Sequence, residues 1–223
     1  MPRRSAPTWE RLPAAAIRGT RSAGPISSCW RADVDIDETS LPGVVLLTPK
    51  RFGDHRGFFS ESYSAKRFAE AGIEIDFVQD NHSVSETVGT VRGLHFQAPP
   101  HAQAKLVRCG RGRLWDVAVD IRKGSPTYGQ WFGTELSFEN GKQLLIPAGF
   151  AHGFVTLEPG TEIVYKCSDY YAPECEGAIR WDDPDLGIDW PLSAGIEPVL
   201  SGKDAEAPLF AGLKSPFTWE GAV

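Results

Sequence analysis

The feature that most constrains the fold is a series of short apolar segments, interrupted at close intervals by Gly, Pro or Asn. Each segment has the length of a strand and is too short for a typical helix. The segments are Val44–Leu47, Leu106–Arg108, Leu114–Ile121, Trp131–Leu136, Gln143–Ile146, Gly153–Leu157 and Glu162–Ser168. The 23 Gly and 17 Pro residues also favour many turns. This pattern predicts an antiparallel all-β protein, built as a sandwich, a jelly roll or a small barrel.

Two local patterns give more specific predictions. The segment Leu114–Ile121 alternates Trp, Val, Val and Ile with Asp, Ala and Asp, which is typical of a strand. Gly110 and Gly112 separate it from Leu106–Arg108, and this arrangement predicts a β-hairpin. One short helix is predicted at Ser64–Ala71, where Ser64 is the cap and Gly72 ends the helix.

The first part of the chain differs in composition from the rest. Residues 1–32 contain six Arg and one acidic residue, a balance of +5, so the remainder carries −11. We expect residues 1–40 to be a disordered N-terminal extension, in which the acidic segment Asp33–Glu38 is a linker. An Arg-rich transit peptide is the alternative, but the segment lacks a clear amphipathic helix. Residues 41–223 are expected to form a single domain.

Composition and charge exclude several classes of protein. The net charge of −6 argues against a general nucleic-acid binder, which would present a basic face. No run of 18 apolar residues is present, so no membrane-spanning helix is expected. The four cysteines, at positions 29, 109, 167 and 175, form no CxxC motif and no zinc-finger spacing. Without a secretory apolar segment, they predict reduced thiols in a cytoplasmic protein.

One His-containing motif points to the cupins. Pro147–His152 has the P-x-G-x-x-H spacing of the second cupin motif, and many cupins hold a metal with three His and one Glu. The first cupin motif would need H-x-H, which this sequence lacks. A three-His site from His95, His101 and His152 is conceivable, but Pro99 and Pro100 disfavour a straight strand there. We therefore favour a site without metal.

Without a metal, His, Lys and Tyr side chains could move protons next to a carbonyl group. A neutral His can take a carbon-bound proton, and a Lys can stabilise the enolate oxygen that forms. A Tyr on the other side could return a proton to the opposite face and so invert the carbon. Each residue also has an ordinary interpretation: Tyr165 could belong to the core, and Lys105 could be a surface charge.

Several long strings, in the same order, resemble the dTDP-4-dehydrorhamnose 3,5-epimerase family. The resemblance covers about Pro49 to Asp204, roughly four-fifths of the chain. The matching strings are Arg51–Glu61, Phe77–Ser83, Arg92–Gln97, Lys105–Cys109, Asp116–Arg122, Ile146–Phe154 and Tyr165–Tyr171. The resemblance implies an all-β, cupin-like jelly roll with a few short helices. It further implies a homodimer that uses neither a metal nor an organic cofactor and acts on dTDP-4-keto-6-deoxy-D-glucose.

The resemblance also implies roles for individual residues. His95 matches the catalytic base, Asp204 the carboxylate that orients it, and Tyr165 the general acid. Lys105, also catalytic, and His152 match polar groups around the sugar and its enolate. The substrate-binding positions are Arg56, Glu61, Gln79, Asn81, Arg92, Lys105, His152, Glu176 and Lys203. Arg56 and Arg92 would pair with the diphosphate, which suits the fork of a guanidinium group. Part of the nucleotide site would come from the partner subunit.

Three other functions compete with a 3,5-epimerase. A relative that inverts only C3 or only C5 in another deoxysugar pathway would carry overlapping motifs. A metal-dependent cupin enzyme would need the three-His site. A binding module without catalysis would not need an acid and a base on opposite faces, and the set of His95, Lys105 and Tyr165 therefore argues against it.

Overall fold

The computed structural model describes residues 34–221, which form two facing β-sheets with little helix. In chain order the strands are β1 (Val34–Glu38), β2 (Val45–Pro49), β3 (Phe52–Asp54), β4 (Gly57–Phe59), β5 (Gln79–Ser85), β6 (Val91–Gln97), β7 (Lys105–Arg111), β8 (Arg113–Asp120), β9 (Trp131–Ser137), β10 (Gln143–Ile146), β11 (Phe150–Thr156), β12 (Thr161–Cys167) and β13 (Glu176–Ala178). The helices are α1 (Ala65–Glu70) and α2 (Gly202–Ala205), with 3₁₀ turns at Pro173–Cys175 and Phe210–Gly212.

The strands divide into two antiparallel sheets and one hairpin. The six-stranded sheet has the order β1-β2-β10-β7-β12-β5, and the five-stranded sheet has the order β13-β6-β11-β8-β9. Within residues 34–221, strands β3 and β4 pair only with each other. Since neighbours in space are mostly distant in sequence, the chain passes repeatedly between the sheets. This architecture confirms the predicted all-β jelly roll with a few short helices.

Apolar side chains fill the space between the sheets. The central cluster takes Val107 and Ile163 from the six-stranded sheet and Leu114, Leu136 and Phe150 from the five-stranded sheet, all at most 3% exposed. Because side chains alternate along a strand, these residues identify which positions of each strand point inward. The inward positions of the remaining strand residues follow from the same parity.

Both outer faces are also covered. Around α1, Phe68 packs with Leu47, Leu106 and Leu145 on the outside of the six-stranded sheet. On the other side, Leu186 and Phe217 of the C-terminal segment pack against outward residues of β6 and β8. Because β8 is covered on both faces, it is buried at most positions. A strand buried on both faces carries apolar residues on both, rather than on one face alone.

The predicted hairpin between Leu106–Arg108 and Leu114–Ile121 is wrong. Strand β7 pairs with β10 and β12, whereas β8 pairs with β9 and β11 in the other sheet. The chain changes sheets at Gly112, which has a φ of +74°. A Cβ atom at Gly112 would lie 2.7 Å from Oγ1 of Thr161, so this crossing requires glycine.

The acidic segment that was predicted to be a linker forms a β-strand in the structure. Residues Val34–Glu38 form the edge strand β1, which pairs antiparallel with β2. Val34 and Ile36 pack on the cluster around Phe68, and this contact holds the acidic strand on the sheet. Residues 1–33 lie outside the described residues, so the expected disordered extension stays a prediction for them.

Most of the remaining local predictions agree with the structure, but β11 begins three residues before the predicted segment Gly153–Leu157, and β7 ends three residues after Leu106–Arg108. The predicted helix is α1, with Ser64 as its N-cap residue and Gly72 at a φ of +83° just after its end. Strand β10 has the predicted bounds, and β2, β9 and β12 differ from prediction by one to two residues at their ends. Within residues 34–221, no helix is both long and apolar enough to cross a membrane.

A close approach of two backbones determines the course of β6. Gly93 has a φ of +125°, and a Cβ atom there would lie 2.5 Å from Cα of Gly153 on β11. The register of β6 and β11 shifts at this point, between His152 and Phe154. Glycine therefore allows β6 to lie against β11 and to carry His95 in its observed register.

Replacing Gly93 with alanine should destabilise the fold. Gly93→Ala combines an unfavourable φ with a backbone clash, and we expect the free energy of unfolding to fall by about 2 kcal/mol or more. Urea unfolding followed by tryptophan fluorescence measures this change. The matched control is Gly212→Ala, because its Cβ would meet no atom within 4 Å. Equal stability of the two variants would contradict this account of β6.

Candidate active site

A cavity of about 530 Å³ lies between the two sheets and is lined mainly by polar side chains. Its wall contains the first residues of β5, β7 and β13 and the last residue of β6, so it lies at one end of the sandwich. The lining residues are Gln79, Asp80, Asn81, His82, His95, Phe96, Gln97, Gln103, Lys105, Tyr165, Tyr171 and Glu176. The volume is in the usual range for a site that binds a small molecule.

The two sheets bring different groups to this cavity. Leu94 and Phe96 point outward from β6, so His95 between them points inward from the five-stranded sheet. Val107 of β7 points inward, and Lys105 shares its parity. Tyr165 of β12 packs against the same central cluster. The imidazole therefore faces the ammonium and phenol groups across the cavity.

Asp204 holds the ring of His95. Its Oδ1 atom lies 2.6 Å from Nε2 of His95, although the two residues are 109 positions apart. The Asp204 residue is 3% exposed, and the side chain of His95 is 32% exposed. When the ring carries its proton on Nε2, this N–H donates a hydrogen bond to the carboxylate. The lone pair of Nδ1 is then available to accept a proton. The geometry is that of an oriented imidazole base.

Burial shifts the pKa values of the three central groups. It lowers the pKa of His95, and the opposing charge of Asp204 does not reverse this shift, so the ring is neutral at pH 7. Burial raises the pKa of Tyr165, which keeps the phenol protonated. Burial also lowers the pKa of Lys105. At neutral pH the site thus holds a base on one sheet and an acid on the other.

Amide side chains of β5 complete the wall next to Tyr165. Gln79 donates from Nε2 to Oδ1 of Asn81 at 3.0 Å, and its own Oε1 accepts from the backbone N–H of Tyr171 at 3.2 Å. Nδ2 of Asn81 donates to Sγ of Cys167 at 3.6 Å. A hydrogen bond from Asn81 also lowers the pKa of Tyr165, against the larger effect of burial. These bonds fix the amide groups beside the phenol.

Glu176 connects the edge of the five-stranded sheet to α2. Its Oε2 lies 2.5 Å from Nζ of Lys203 and accepts from the hydroxyl of Tyr171 at 3.0 Å. These two contacts lower the pKa of Glu176, although burial opposes them. Lys203 directly precedes Asp204, so the ion pair lies next to the His95–Asp204 pair. Charges of both signs are therefore held at one side of the cavity.

His152 forms a second His–Asp pair. It lies opposite His95 in the β6–β11 register, and its Nε2 is 2.8 Å from Oδ1 of Asp116. Burial raises the pKa of Asp116, which is fully buried. The structure places His152 next to His95 in the sheet but does not include it among the described residues that line the cavity.

The predicted arginines lie at the margin or away from the cavity. Arg92, the second residue of β6, donates to Oγ of Ser85 and to the carbonyl of Val84. The charge of Arg92 opposes the rise in the pKa of Tyr165 that burial causes, so Arg92 lies near that phenol. Arg56 is on the β3–β4 hairpin, is 79% exposed and pairs with Asp54 at 2.6 Å. The structure does not bring Arg56 to the cavity of its own chain.

Glu61 is the other predicted site residue that the structure places elsewhere. Its Oε1 pairs with Nε of Arg67 on α1 at 2.9 Å, and it does not line the described cavity. The predicted set is therefore split. Gln79, Asn81, His95, Lys105, Tyr165 and Glu176 line the cavity, Asp204, Lys203, Arg92 and His152 lie around it, and Arg56 and Glu61 are outside it.

Three structurally important residues were not assigned a role from the sequence. Gln97 is buried and ties two loops to β6, since its Nε2 donates to the carbonyls of His101 and Tyr170 and its Oε1 accepts from Ala172 N. Gln103 and Tyr171 lie on those loops. The signal that could have found Gln97 is its position two residues after His95, on the same face.

The three-His metal site that the sequence left open does not form. His101 pairs through Nδ1 with Asp169 at 3.2 Å. In the part of the chain that the structure describes, no group of three or more His, Cys, Asp or Glu is arranged to hold a metal ion. Cys109, Cys167 and Cys175 are free thiols, and Cys29 lies outside the described residues.

Comparisons with known proteins give a consistent result. The family model described as dTDP-4-dehydrorhamnose 3,5-epimerase matches residues 38–212. A curated protein of that name from Salmonella typhimurium is 57% identical over 173 residues, which cover 77% of this chain and 93% of the relative. The Escherichia coli protein of the same name is 47% identical over 172 residues, covering 77% and 91% of the two chains.

Solved structures agree with the sequence relatives. A dTDP-6-deoxy-D-glucose-3,5-epimerase of Legionella pneumophila, in complex with dTDP-4-keto-L-rhamnose, is 47% identical, with a TM-score of 0.80. It covers 84% of this chain, and the match spans 100% of the solved chain. A 3′-monoepimerase of Streptomyces bikiniensis, in complex with dTDP-quinovose, is 38% identical, with a TM-score of 0.73 and coverages of 78% and 86%.

Proposed function

The chain belongs to the dTDP-4-dehydrorhamnose 3,5-epimerase family, and we propose that its cavity inverts C3 and C5 of dTDP-4-keto-6-deoxy-D-glucose. The product is dTDP-4-keto-L-rhamnose, an intermediate of dTDP-L-rhamnose biosynthesis. The observation that carries the proposal is the placement of His95 and Tyr165 on opposite sheets, facing one cavity. Inversion needs a base on one side of the sugar ring and an acid on the other.

In the proposed reaction, Nδ1 of His95 takes the proton from a carbon next to the 4-keto group. The electron pair of the broken C–H bond forms the enolate, and the ammonium group of Lys105 stabilises its oxygen. Tyr165 then gives its hydroxyl proton to the opposite face of the carbon. Solvent returns a proton to the phenolate and removes one from the imidazolium, so the site is restored. The same sequence applies at both carbons, since both flank the ketone.

Asp204 supports this reaction through His95. Its carboxylate keeps the proton on Nε2, so Nδ1 remains the basic atom, and it stabilises the imidazolium that forms. The electrons stay within the substrate, so this chemistry requires no redox cofactor, and in the proposed reaction Lys105 stabilises the enolate oxygen without a metal ion. Six further polar residues are proposed to bind the substrate around the two reacting carbons and the diphosphate: Gln79, Asn81, Arg92, His152, Glu176 and Lys203.

The position of Arg56 supports a homodimer. The hairpin that carries it exposes Phe52, Phe58 and Phe59, of which Phe59 is 68% exposed. Aromatic rings that are this exposed commonly mark an interface. We propose that Arg56 and Glu61 contribute to the nucleotide site of the partner subunit, where Arg56 pairs with the diphosphate. A soluble nucleotide-sugar substrate also supports a cytoplasmic location.

The product assay tests the proposed function directly. The wild-type protein is incubated with dTDP-4-keto-6-deoxy-D-glucose in D₂O, and NMR follows deuterium at C3 and C5. We expect deuterium at both carbons and L-rhamnose once a 4-keto reductase is added. Deuterium at one carbon only would instead indicate a single-position epimerase. Deuterium at neither carbon, beside an active control enzyme, would reject the proposal.

A complementation experiment tests the shared site. His95→Ala and Arg56→Ala chains carry different tags, and the heterodimer is isolated after co-expression. We expect each homodimer to lose most of its turnover, whereas the heterodimer contains one intact site and recovers about half of the wild-type rate per dimer. If Arg56 acted within its own chain, the heterodimer would show no more than half the rate of the Arg56→Ala homodimer.

A further inference from the structure

We propose that Ser201 is a positioning residue that holds the carboxylate of Asp204 against His95. Its hydroxyl group donates to Oδ2 of Asp204 at 2.7 Å, while Oδ1 of the same carboxylate lies 2.6 Å from Nε2 of His95. Both oxygens of Asp204 are therefore engaged at once. This inference rests on the proposed function of His95 as a base.

The local backbone fixes Ser201 itself. It is the N-cap residue of α2, and its Oγ accepts from the backbone N–H of Asp204 at 3.1 Å. One hydroxyl group thus accepts from the backbone and donates to the side chain of the same residue, which leaves it a single useful orientation. Asp204 is nearly buried, so little solvent reaches the carboxylate to replace the hydroxyl. Rotation of the carboxylate would break both contacts together.

The charges around His95 determine the direction of the expected effect. Asp204 and Glu176 favour the imidazolium form, while Lys203 and burial disfavour it. His152 lies opposite His95 on β11. If the carboxylate of Asp204 loses its fixed orientation, it stabilises the imidazolium form less. Burial and Lys203, which both lower the pKa of His95, are then less fully offset. The pKa of His95 should then fall further, and the imidazolium formed during proton abstraction should be less stable.

The test compares Ser201→Gly with the conservative variant Ser201→Thr. Glycine is tolerated at an N-cap but removes the hydroxyl, whereas threonine keeps it. We expect Ser201→Gly to lower kcat about tenfold with little change in KM, because orientation rather than binding is lost. NMR titration of the His95 ring in the free enzyme should show a lower midpoint. Ser201→Thr should restore both quantities to near the wild-type values.

Ser215→Ala is the control for the loss of a serine hydroxyl group that accepts one hydrogen bond and donates another. Ser215 also accepts from a backbone N–H, that of Phe217 at 3.2 Å, and donates to the carbonyl of Ile121, but it lies in the covering segment. We expect this variant to keep the wild-type kcat and the wild-type titration of His95. Equal losses of kcat in Ser201→Gly and Ser215→Ala would instead show a general effect of removing a serine hydroxyl group and would contradict the positioning role.

The outcomes separate this inference from the proposed function. A titration midpoint of His95 that stays unchanged or rises in Ser201→Gly would overturn the positioning role. A wild-type kcat in Ser201→Gly would also overturn it. If the wild-type enzyme shows no turnover, the proposed function fails, while the titration of the free enzyme still tests the contact among Ser201, Asp204 and His95.

Discussion

Polar side chains that point between two β-sheets lose their water and need partners, and this constraint organises the interior of the protein. Four carboxylates of the described residues, those of Asp116, Asp120, Asp183 and Asp204, are at most 3% exposed. Asp116, Asp120 and Asp204 are partnered by His152, Arg122 and His95, respectively, whereas Asp183 accepts hydrogen bonds from backbone N–H groups. A buried charge without a partner would cost far more than one that is paired. The same requirement that stabilises the fold therefore also orients the rings used in the proposed chemistry.

The sandwich architecture places the groups of the site on two opposite walls of the cavity. A sheet presents side chains of one parity to the interior, and two facing sheets present their groups from opposite directions. His95 comes from one sheet, and Lys105 and Tyr165 come from the other. Burial between the sheets also sets the protonation states, since it lowers the pKa of the imidazole and raises that of the phenol. Position and protonation thus have one physical cause.

The sequence predicted what depends on local pattern and missed what depends on pairing. Strand β10 and helix α1 were found because their signals lie within a few residues. The hairpin predicted at Gly112 was wrong because a glycine-containing turn has the same sequence pattern whether the flanking strands pair with each other or enter different sheets. The acidic strand β1 was missed because its apolar contacts, through Val34 and Ile36, come from distant residues. Several site residues came from family resemblance, and the pairing of Asp116 with His152 became visible only through strand register.

The most direct test of the two-sided reaction is the fate of substrate protons in Tyr165→Phe. Without the phenol, His95 can still remove a proton and return a solvent deuteron to the same face. We predict deuterium exchange near the wild-type rate in D₂O, with inversion reduced by about 10²–10⁴-fold. Inversion at the wild-type rate would show that the acid is another group. Loss of exchange together with inversion would contradict the separation of base and acid on the two sheets.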